Sequence, residues 1–232
     1  MDVSYEAANT SVTIGSVEQP VPGRIRDCQE LDDLLAVSIT PDEHYGIDLS
    51  DAVKSAEFAL PSPNRNLVGF DESGEITWIV DTPDHGTNED HFRDLSLVSN
   101  RLLANNTDDH YYEVDPSTGE IVGSYPETQL PIGDRVVSFN GTVKRIHQLD
   151  DLVVVETGTT PTSFYGYETD GSLRWQRHGN AGLEIRDGAL AETIVPNDAR
   201  RAIVRLDPDT GKRVEVLESD LPDPEQYVSA SE

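Results

Sequence analysis

The sequence predicts an all-β fold built from a four-stranded unit that recurs four times. Each unit ends in two strands joined by an Asp-containing turn with a glycine, and residues 67–78 are the first copy. Glycine supplies the positive φ that such a turn needs, and aspartate caps its own backbone. The turn glycines are spaced by 45, 52 and 40 residues and are Gly74, Gly119, Gly171 and Gly211. This period is typical of propeller blades.

We therefore predict a small β-propeller of four four-stranded blades, or of five if the N-terminal segment contributes one. Two more strand-like runs precede each hairpin. The second of them is often apolar, as in residues 34–37 and 152–155, which indicates a strand buried on both faces. The expected single domain, residues 1–232, comprises a closing hairpin 1–16, blades 24–80, 91–125, 136–177 and 182–217, and an acidic tail 218–232.

The aspartates of the repeated turns are predicted to form turns rather than to bind calcium. They are Asp71, Asp115, Asp170 and Asp207. None shows the DxDxDG register that places calcium ligands at alternate positions. Trp78 and Trp175 each follow a turn glycine by four residues. Packing of the last strand against the next blade accounts for both indoles better than a ligand platform does.

Two segments depart from the repeat. Residues 2–15 predict a hairpin that closes the ring by pairing with the last blade. Residues 44–60 are an insertion in the first blade, in which residues 48–58 form the one helix candidate, capped by Ser50 or Asp48.

The composition is strongly acidic, with 44 Asp and Glu against 17 Lys and Arg and a formal charge of −27. Lysine is scarce, which together with the acidity favours a haloarchaeal protein whose self-repulsion is screened by salt. This charge repels phosphate backbones, so no direct nucleic-acid partner is expected. Cys28 is the sole cysteine, which excludes an internal disulfide, and we expect a small buried residue.

The N-terminal residues lack a basic and an apolar leader region, and no run reaches membrane-spanning length. We therefore expect no membrane partner. The expected location is the cytoplasm of a high-salt cell, or a virus particle assembled inside one.

The best cluster of metal-ligand residue types comprises Asp84, His85, Glu89 and His91. Imidazole with oxygen ligands suits zinc, manganese or iron. However, carboxylates are frequent throughout the chain, and no fixed spacing such as HExxH appears. The same holds for residues 108–110. We predict no metal, no cofactor and no catalytic residue, since GxSxG and P-loop motifs are also missing from the sequence.

The repeat resembles that of the PQQ-like propellers, whose blades carry a strand, a turn of the form D-x-x-T/S-G-E/K, and a strand that often contains Trp. Residues 115–120 and 207–212 match the turn in full, and residues 71–75 and 170–171 are shortened forms. The resemblance spans residues 24–217 and implies a blade rather than a function. A quinone-dependent dehydrogenase of this type is expected to have eight blades, about twice the length of this chain.

The predicted function is a non-enzymatic interaction or assembly module with a protein partner, because loops on a stable scaffold commonly carry binding. A structural, capsid- or tail-associated component of a haloarchaeal virus particle is one form of this hypothesis. Two alternatives remain open. One is a cytoplasmic adaptor with a small-molecule pocket, and the other is a hydrolase or transferase with a channel-mouth site containing His85 and His91.

Overall fold

The computed structural model describes most of the chain and divides it into two compact units. Unit 1 comprises residues 1–126 and unit 2 comprises residues 127–232. The described residues are 3–4, 11–21, 24–40, 66–80, 83, 91–158, 161–179, 182–195 and 200–228. The predicted helix at 48–58 and the insertion at 44–60 lie outside the described residues.

Unit 1 contains a small sheet followed by two four-stranded antiparallel blades. The small sheet consists of β1 (Val3–Ser4), β2 (Ser11–Ile14) and β3 (Val17–Pro20). Blade 1 consists of β4 (Arg24–Glu30), β5 (Leu34–Thr40), β6 (Leu67–Asp71) and β7 (Ile76–Val80). Blade 2 consists of β8 (Phe92–Val98), β9 (Arg101–Asn106), β10 (His110–Val114) and β11 (Ile121–Pro126).

Unit 2 has the same organisation, beginning with a two-stranded sheet. That sheet consists of β12 (Gln129–Ile132) and β13 (Arg135–Ser138). Blade 3 consists of β14 (Val143–Leu149), β15 (Leu152–Thr157), β16 (Thr162–Glu168) and β17 (Leu173–Gly179). Blade 4 consists of β18 (Gly182–Arg186), β19 (Ala189–Ile194), β20 (Ala202–Leu206) and β21 (Arg213–Ser219). A 3₁₀ turn, Pro224–Tyr227, lies in the acidic tail.

The predicted fold class is confirmed, since the described residues form four four-stranded blades of the β-propeller type. No helix among them is long and apolar enough to cross a membrane. The expected N-terminal hairpin is present as β1 and β2, and a third strand, β3, which the sequence did not predict, pairs with β2. The hairpin of β12 and β13 was not predicted, because it lacks the Asp-Gly turn signature of the repeats.

The core of each blade lies along its second strand, as the apolar runs predicted. Residues 34–39 of β5 are all buried, and so are residues 152–155 of β15. Continuous burial along a strand means that both faces of the sheet are covered. The hydrophobic clusters of unit 1 accordingly pack on both sides of blade 1.

A tryptophan from the first blade of each unit is inserted into the turn of the second blade. Trp78 of β7 donates a hydrogen bond from Nε1 to the carbonyl oxygen of Pro116 at 2.7 Å. A Cβ atom placed on Gly119 would lie 2.8 Å from the indole Cγ of Trp78. A backbone without a side chain at this point is what allows the turn to lie against the ring.

The same contact recurs in unit 2. Trp175 of β17 donates from Nε1 to the carbonyl oxygen of Pro208 at 2.8 Å. A Cβ atom on Gly211 would lie 2.7 Å from its Cδ2. The blades that supply the tryptophan have the shortened turns, and the blades that receive it have the complete D-P-x-T-G turns. The complete motif therefore serves as a receptor for the preceding blade.

Each indole also lies flat on a glycine of the neighbouring strand. Gly69 is paired with Trp78 and Gly166 with Trp175 in the strand ladders. A Cβ atom at either glycine would overlap the six-membered ring of the indole. Glycine at these two positions thus sets the position of the ring that reaches the next blade.

Polar groups of blade 1 also hold the backbone of β8 in unit 1. The carboxylate of Asp27 accepts a hydrogen bond from the backbone N–H of Leu95 at 2.7 Å. The side chain of Asn66 donates to the carbonyl oxygen of Phe92 at 2.7 Å and accepts from its N–H at 2.9 Å. These bonds satisfy backbone groups that would otherwise be buried without partners.

Replacing Gly69 by alanine should test the tryptophan contact. The added methyl group must displace the Trp78 ring from the turn of blade 2, so the free energy of unfolding should fall by about 1–3 kcal/mol. Gly182→Ala is the control, because the nearest atom to its new Cβ is the end of the Arg145 side chain. Urea unfolding followed by tryptophan fluorescence gives both values. Equal stabilities for the two variants would contradict the contact.

Candidate functional site

The repeated turns use their aspartates to fold themselves. Oδ1 of Asp71 accepts hydrogen bonds from the backbone N–H groups of Ser73 and Glu75, both at 2.9 Å, and from the Ser73 hydroxyl at 2.7 Å. These bonds, led by that of the Ser73 hydroxyl, lower the pKa of Asp71. Asp115 and Asp170 have lowered pKa values for the same reason, with Ser117 and Ser172 as the donors.

The fourth turn aspartate and the turn glycines also have the geometry that the sequence predicts. Asp207 accepts from the backbone N–H of Asp209 at 2.8 Å. All four turn glycines have positive φ, which is 82° at Gly74, 73° at Gly119, 84° at Gly171 and 66° at Gly211. These geometries are those of turn residues.

Three residues of the candidate metal-ligand cluster, Asp84, His85 and Glu89, lie outside the described residues. His91 is described and makes a backbone pair with Thr107, whose N–H donates to the His91 carbonyl oxygen at 3.3 Å. His110 of the second cluster contacts the backbone of Asp108 through Nδ1 at 3.0 Å. The Asp108 carboxylate accepts from the Tyr112 hydroxyl at 2.6 Å. The described part of the chain contains no group of three such residues placed to hold a metal.

Cys28 lies on β4 and packs against the hydrophobic cluster of blade 1, only partly covered. Burial, with a smaller contribution from the charge of Asp27, raises the pKa of its thiol to about 12. The thiolate is therefore scarce at neutral pH, and the residue behaves as a small apolar side chain.

An open groove lies in unit 1, along the edge where blades 1 and 2 meet. Its volume is about 960 Å³. It lies between four turns: the one that joins β4 to β5, the turn end of the β6–β7 hairpin, the one that joins β8 to β9, and the Pro116 turn that receives Trp78. The described residues that line it are Glu30, Leu31, Asp32, Asp33, Leu34, Asp71, Thr77, Leu97, Asn100, Pro116 and Ser117.

The groove is acidic and has an apolar floor. Four carboxylates and no lysine or arginine are among the described residues of its lining. Asp32 and Asp33 are exposed at the turn, whereas Leu34 is buried. Such a surface favours a cationic group carried on an apolar stem. Sequence reasoning missed the groove because its lining comes from turns of two blades.

The corresponding edge of unit 2 is occupied by an arginine of the chain itself. Arg174, next to Trp175, forms ion pairs with Asp151 at 2.7 Å, Glu168 at 2.5 Å and Asp209 at 3.1 Å. Its side chain is only 14% exposed. The hydrogen bond with Glu168, followed by the bond with Asp151, raises the pKa of the guanidinium above its ordinary value.

A second network of ion pairs in unit 2, centred on Glu192, is structural. Glu192 of β19 is fully buried and binds Arg177 of β17 at 2.5 Å and Arg213 of β21 at 2.8 Å. Burial by itself would raise the pKa of Glu192, but the hydrogen bonds and charges of the two arginines outweigh it, so the pKa is lowered. The ion pair between Arg177 and Glu192 links blade 3 to blade 4.

His147 of β14 is a half-buried histidine that the sequence did not mark. Burial, assisted by the charge of Arg145, lowers its pKa. Its Nε2 atom and Oε2 of Glu156 on β15 are buried without hydrogen-bond partners. Neither residue lines the groove, which lies in the other unit.

Glu192→Gln should remove a stabilising charge whose effect depends on pH. Because the folded pKa lies below the unfolded one, the stabilisation is present above the ordinary pKa of about 4.5 and is lost as pH falls through the folded value. At pH 7 the variant should lose about 2–4 kcal/mol of unfolding free energy. The difference from the wild type should shrink in acid.

Urea unfolding at several pH values measures this difference. Glu218→Gln is the matched control, since Glu218 pairs with Arg186 and Arg201 on the surface. It should leave stability essentially unchanged. A Glu192→Gln variant whose deficit persists unchanged at low pH would contradict the assignment.

Arg174→Thr should open in unit 2 a groove like that of unit 1. Three carboxylates, whose side chains are 38–79% exposed, then lose their shared partner. Because water screens these charges, the network should contribute only about 0.5–1 kcal/mol to the free energy of unfolding, and less at high salt. Chemical unfolding at low and molar KCl tests this expectation. A loss that does not change with salt would show that packing of the arginine stem, and not its charge, is what stabilises the edge.

The sequence matches one family model, that of a domain of unknown function (DUF7957), over residues 2–124. No curated protein matches significantly. Among solved structures, BamB from Moraxella catarrhalis has a TM-score of 0.46 and 12% identity; the match covers 91% of this chain and 60% of that one. The computationally designed Ika4 protein has a TM-score of 0.42 and 8% identity, with coverage of 80% and 92%. At such identities a likeness concerns the fold alone.

The family match spans more than half of the chain, and the protein belongs to the DUF7957 family.

Proposed function

We propose that the protein is a non-enzymatic interaction module that docks a protein partner at the acidic groove of unit 1. The open groove between blades 1 and 2 carries this proposal. It is wide enough for side chains of a partner, and its carboxylates supply a charged rim around an apolar floor. The hydrogen bonds and indole contact that join the two blades provide a preformed surface.

The charge of the chain supports the choice of partner. A formal charge of −27 disfavours nucleic acids and anionic membranes and favours a partner with a basic segment. The same composition supports a high-salt setting, in which only close and well-oriented ion pairs keep their strength. A haloarchaeal cytoplasm or a haloarchaeal virus particle, with the protein as a capsid- or tail-associated component, is the finer form of the proposal.

A ligand-binding adaptor is the second candidate, because a volume of about 960 Å³ also falls in the range of small-molecule sites. Thermal-shift measurements against a metabolite panel distinguish the two. Stabilisation by a small molecule that competes with the captured protein would favour the adaptor.

The decisive experiment is capture of partners by the full chain from a native lysate in molar KCl, followed by mass spectrometry and purification of the complex. We expect a defined protein that co-purifies in a fixed ratio. An Asp32→Asn, Asp33→Asn double variant should capture less of it. A wild-type chain that remains without any protein partner, in lysate and in purified particles, would refute the interaction function.

A further inference from the structure

We infer that the groove of unit 1 is a receptor for a guanidinium group, which an arginine side chain of the partner protein supplies. This inference deepens the proposed interaction function and rests on it. Its basis is internal, because the corresponding site of unit 2 holds an arginine of the chain itself.

The hairpin turns establish which residues correspond. In blade 1 the N–H of Asp71 donates to the carbonyl oxygen of Glu75, and the N–H of Gly74 donates back to that of Asp71. In blade 3 Glu168 makes the same two bonds, with Ser172 and Gly171. Asp71 therefore occupies the position of Glu168.

The rest of the lining follows from the strand register and the turn motif. Asp71 is paired with Leu34, the residue after Asp33, and Glu168 is paired with Leu152, the residue after Asp151. In the turn of blade 2, Pro116 is followed by Ser117, whereas in the turn of blade 4, Pro208 is followed by Asp209. The corresponding pairs are Asp33 with Asp151, Asp71 with Glu168, Ser117 with Asp209, and Thr77 with Arg174.

The two sites differ in what fills them. In unit 2 the guanidinium of Arg174 binds all three acidic residues and is largely withdrawn from water. In unit 1 the short side chain of Thr77 donates to the carbonyl oxygen of Gly69 at 3.2 Å and carries no charge. Two of the three carboxylates are kept, and the space that Arg174 takes in unit 2 is open groove.

The chemistry of the lining selects arginine over lysine. Asp33 and Asp71 line the groove from two different elements. Oδ1 of Asp71 accepts the bonds of its own turn, which leaves the second oxygen of this carboxylate for a ligand. A planar fork with five N–H donors suits two such separate acceptors, whereas an ammonium acts as a point charge. Leu31, Leu34 and Leu97 offer apolar surface for the three-carbon stem. Asn100 adds an amide at the rim.

The site can be probed with N-acetyl-arginine-N-methylamide, titrated into the ¹⁵N-labelled full chain in buffered KCl. The amide signals of Thr77, Asn100 and Ser117 should shift together and saturate. The citrulline analogue, which has the same shape without the charge, should bind at least tenfold more weakly. The lysine analogue should fall between the two. Equal binding of the arginine and citrulline probes would overturn the inference.

Variants of the lining distinguish binding at the groove from non-specific attraction of the probe to the negative charge of the chain. Thr77→Arg supplies the group that Arg174 supplies in unit 2, so it should abolish binding of the probe. Ser124→Arg adds the same charge at an exposed position of β11 and should leave binding unchanged. If Thr77→Arg binds the probe as the wild type does, the site is refuted.

Two further substitutions keep the test informative if Thr77→Arg does not fold. Asp33→Asn, at an exposed turn position, should weaken binding about tenfold. Ser117→Asp restores the third carboxylate seen at Asp209 and should strengthen binding severalfold. Its backbone bond to Asp115 can remain, since Asp209 makes the equivalent bond to Asp207. Absence of both effects would contradict the inference.

Partner capture separates this inference from the function on which it depends. A partner that binds the wild type and Thr77→Arg equally would leave the interaction function standing and refute the guanidinium site. Probe binding that responds to Thr77→Arg, without any captured protein, would support the site and refute the protein-docking function.

Discussion

The contact between a tryptophan and the turn of the next blade is the constraint on which each unit depends. The six-membered ring of the indole lies on a glycine of its own blade. The indole N–H donates a hydrogen bond to a carbonyl oxygen in the turn of the following blade. The continuous burial of β5 and β15 means that both faces of the tryptophan-supplying blades are covered, and the indole belongs to the cluster that covers one of them. The glycines at 69 and 166 are therefore as important as the two tryptophans.

The two units share one arrangement of sheets, but they differ at the edge where their two blades meet. Each consists of a small sheet, a blade that supplies tryptophan and a blade that receives it. In each unit, the small sheet also packs against the glycine turn of the blade that supplies the tryptophan. A Cβ atom on Gly74 would lie 2.5 Å from the Gln19 side chain, and one on Gly171 would lie 2.5 Å from the Ile132 carbonyl oxygen. Two changes of residue type separate a filled edge from an open one: threonine replaces arginine before the tryptophan, and serine replaces the aspartate of the receiving turn.

This divergence explains where function is to be sought. A repeat that satisfies its own carboxylates, as Arg174 does in blade 3, leaves little for a partner to bind. A repeat that retains two of these three carboxylates without the cation has an open groove in the same place. Burial without pairing would make such charges costly, and the exposure of Asp32 and Asp33 avoids that cost.

The sequence alone determined the blades, because turn geometry and burial impose local patterns. Positive φ at Gly74 and self-capping by Asp71 follow from residues adjacent in the chain, and so does the apolar run of β5. The groove was not predictable from such patterns. Asp33, Thr77 and Ser117 are far apart in sequence, and nothing local indicates that they share one edge.

Only the tertiary structure decided which acidic residues already have a partner and which remain available. Composition presented all 44 acidic residues as equivalent. Folding distinguishes them, since a carboxylate acquires a partner only where another strand or turn brings a donor within hydrogen-bond distance. Glu192 acquires two arginines in this way, Asp27 acquires a backbone N–H, and Asp33 lies beside an open groove.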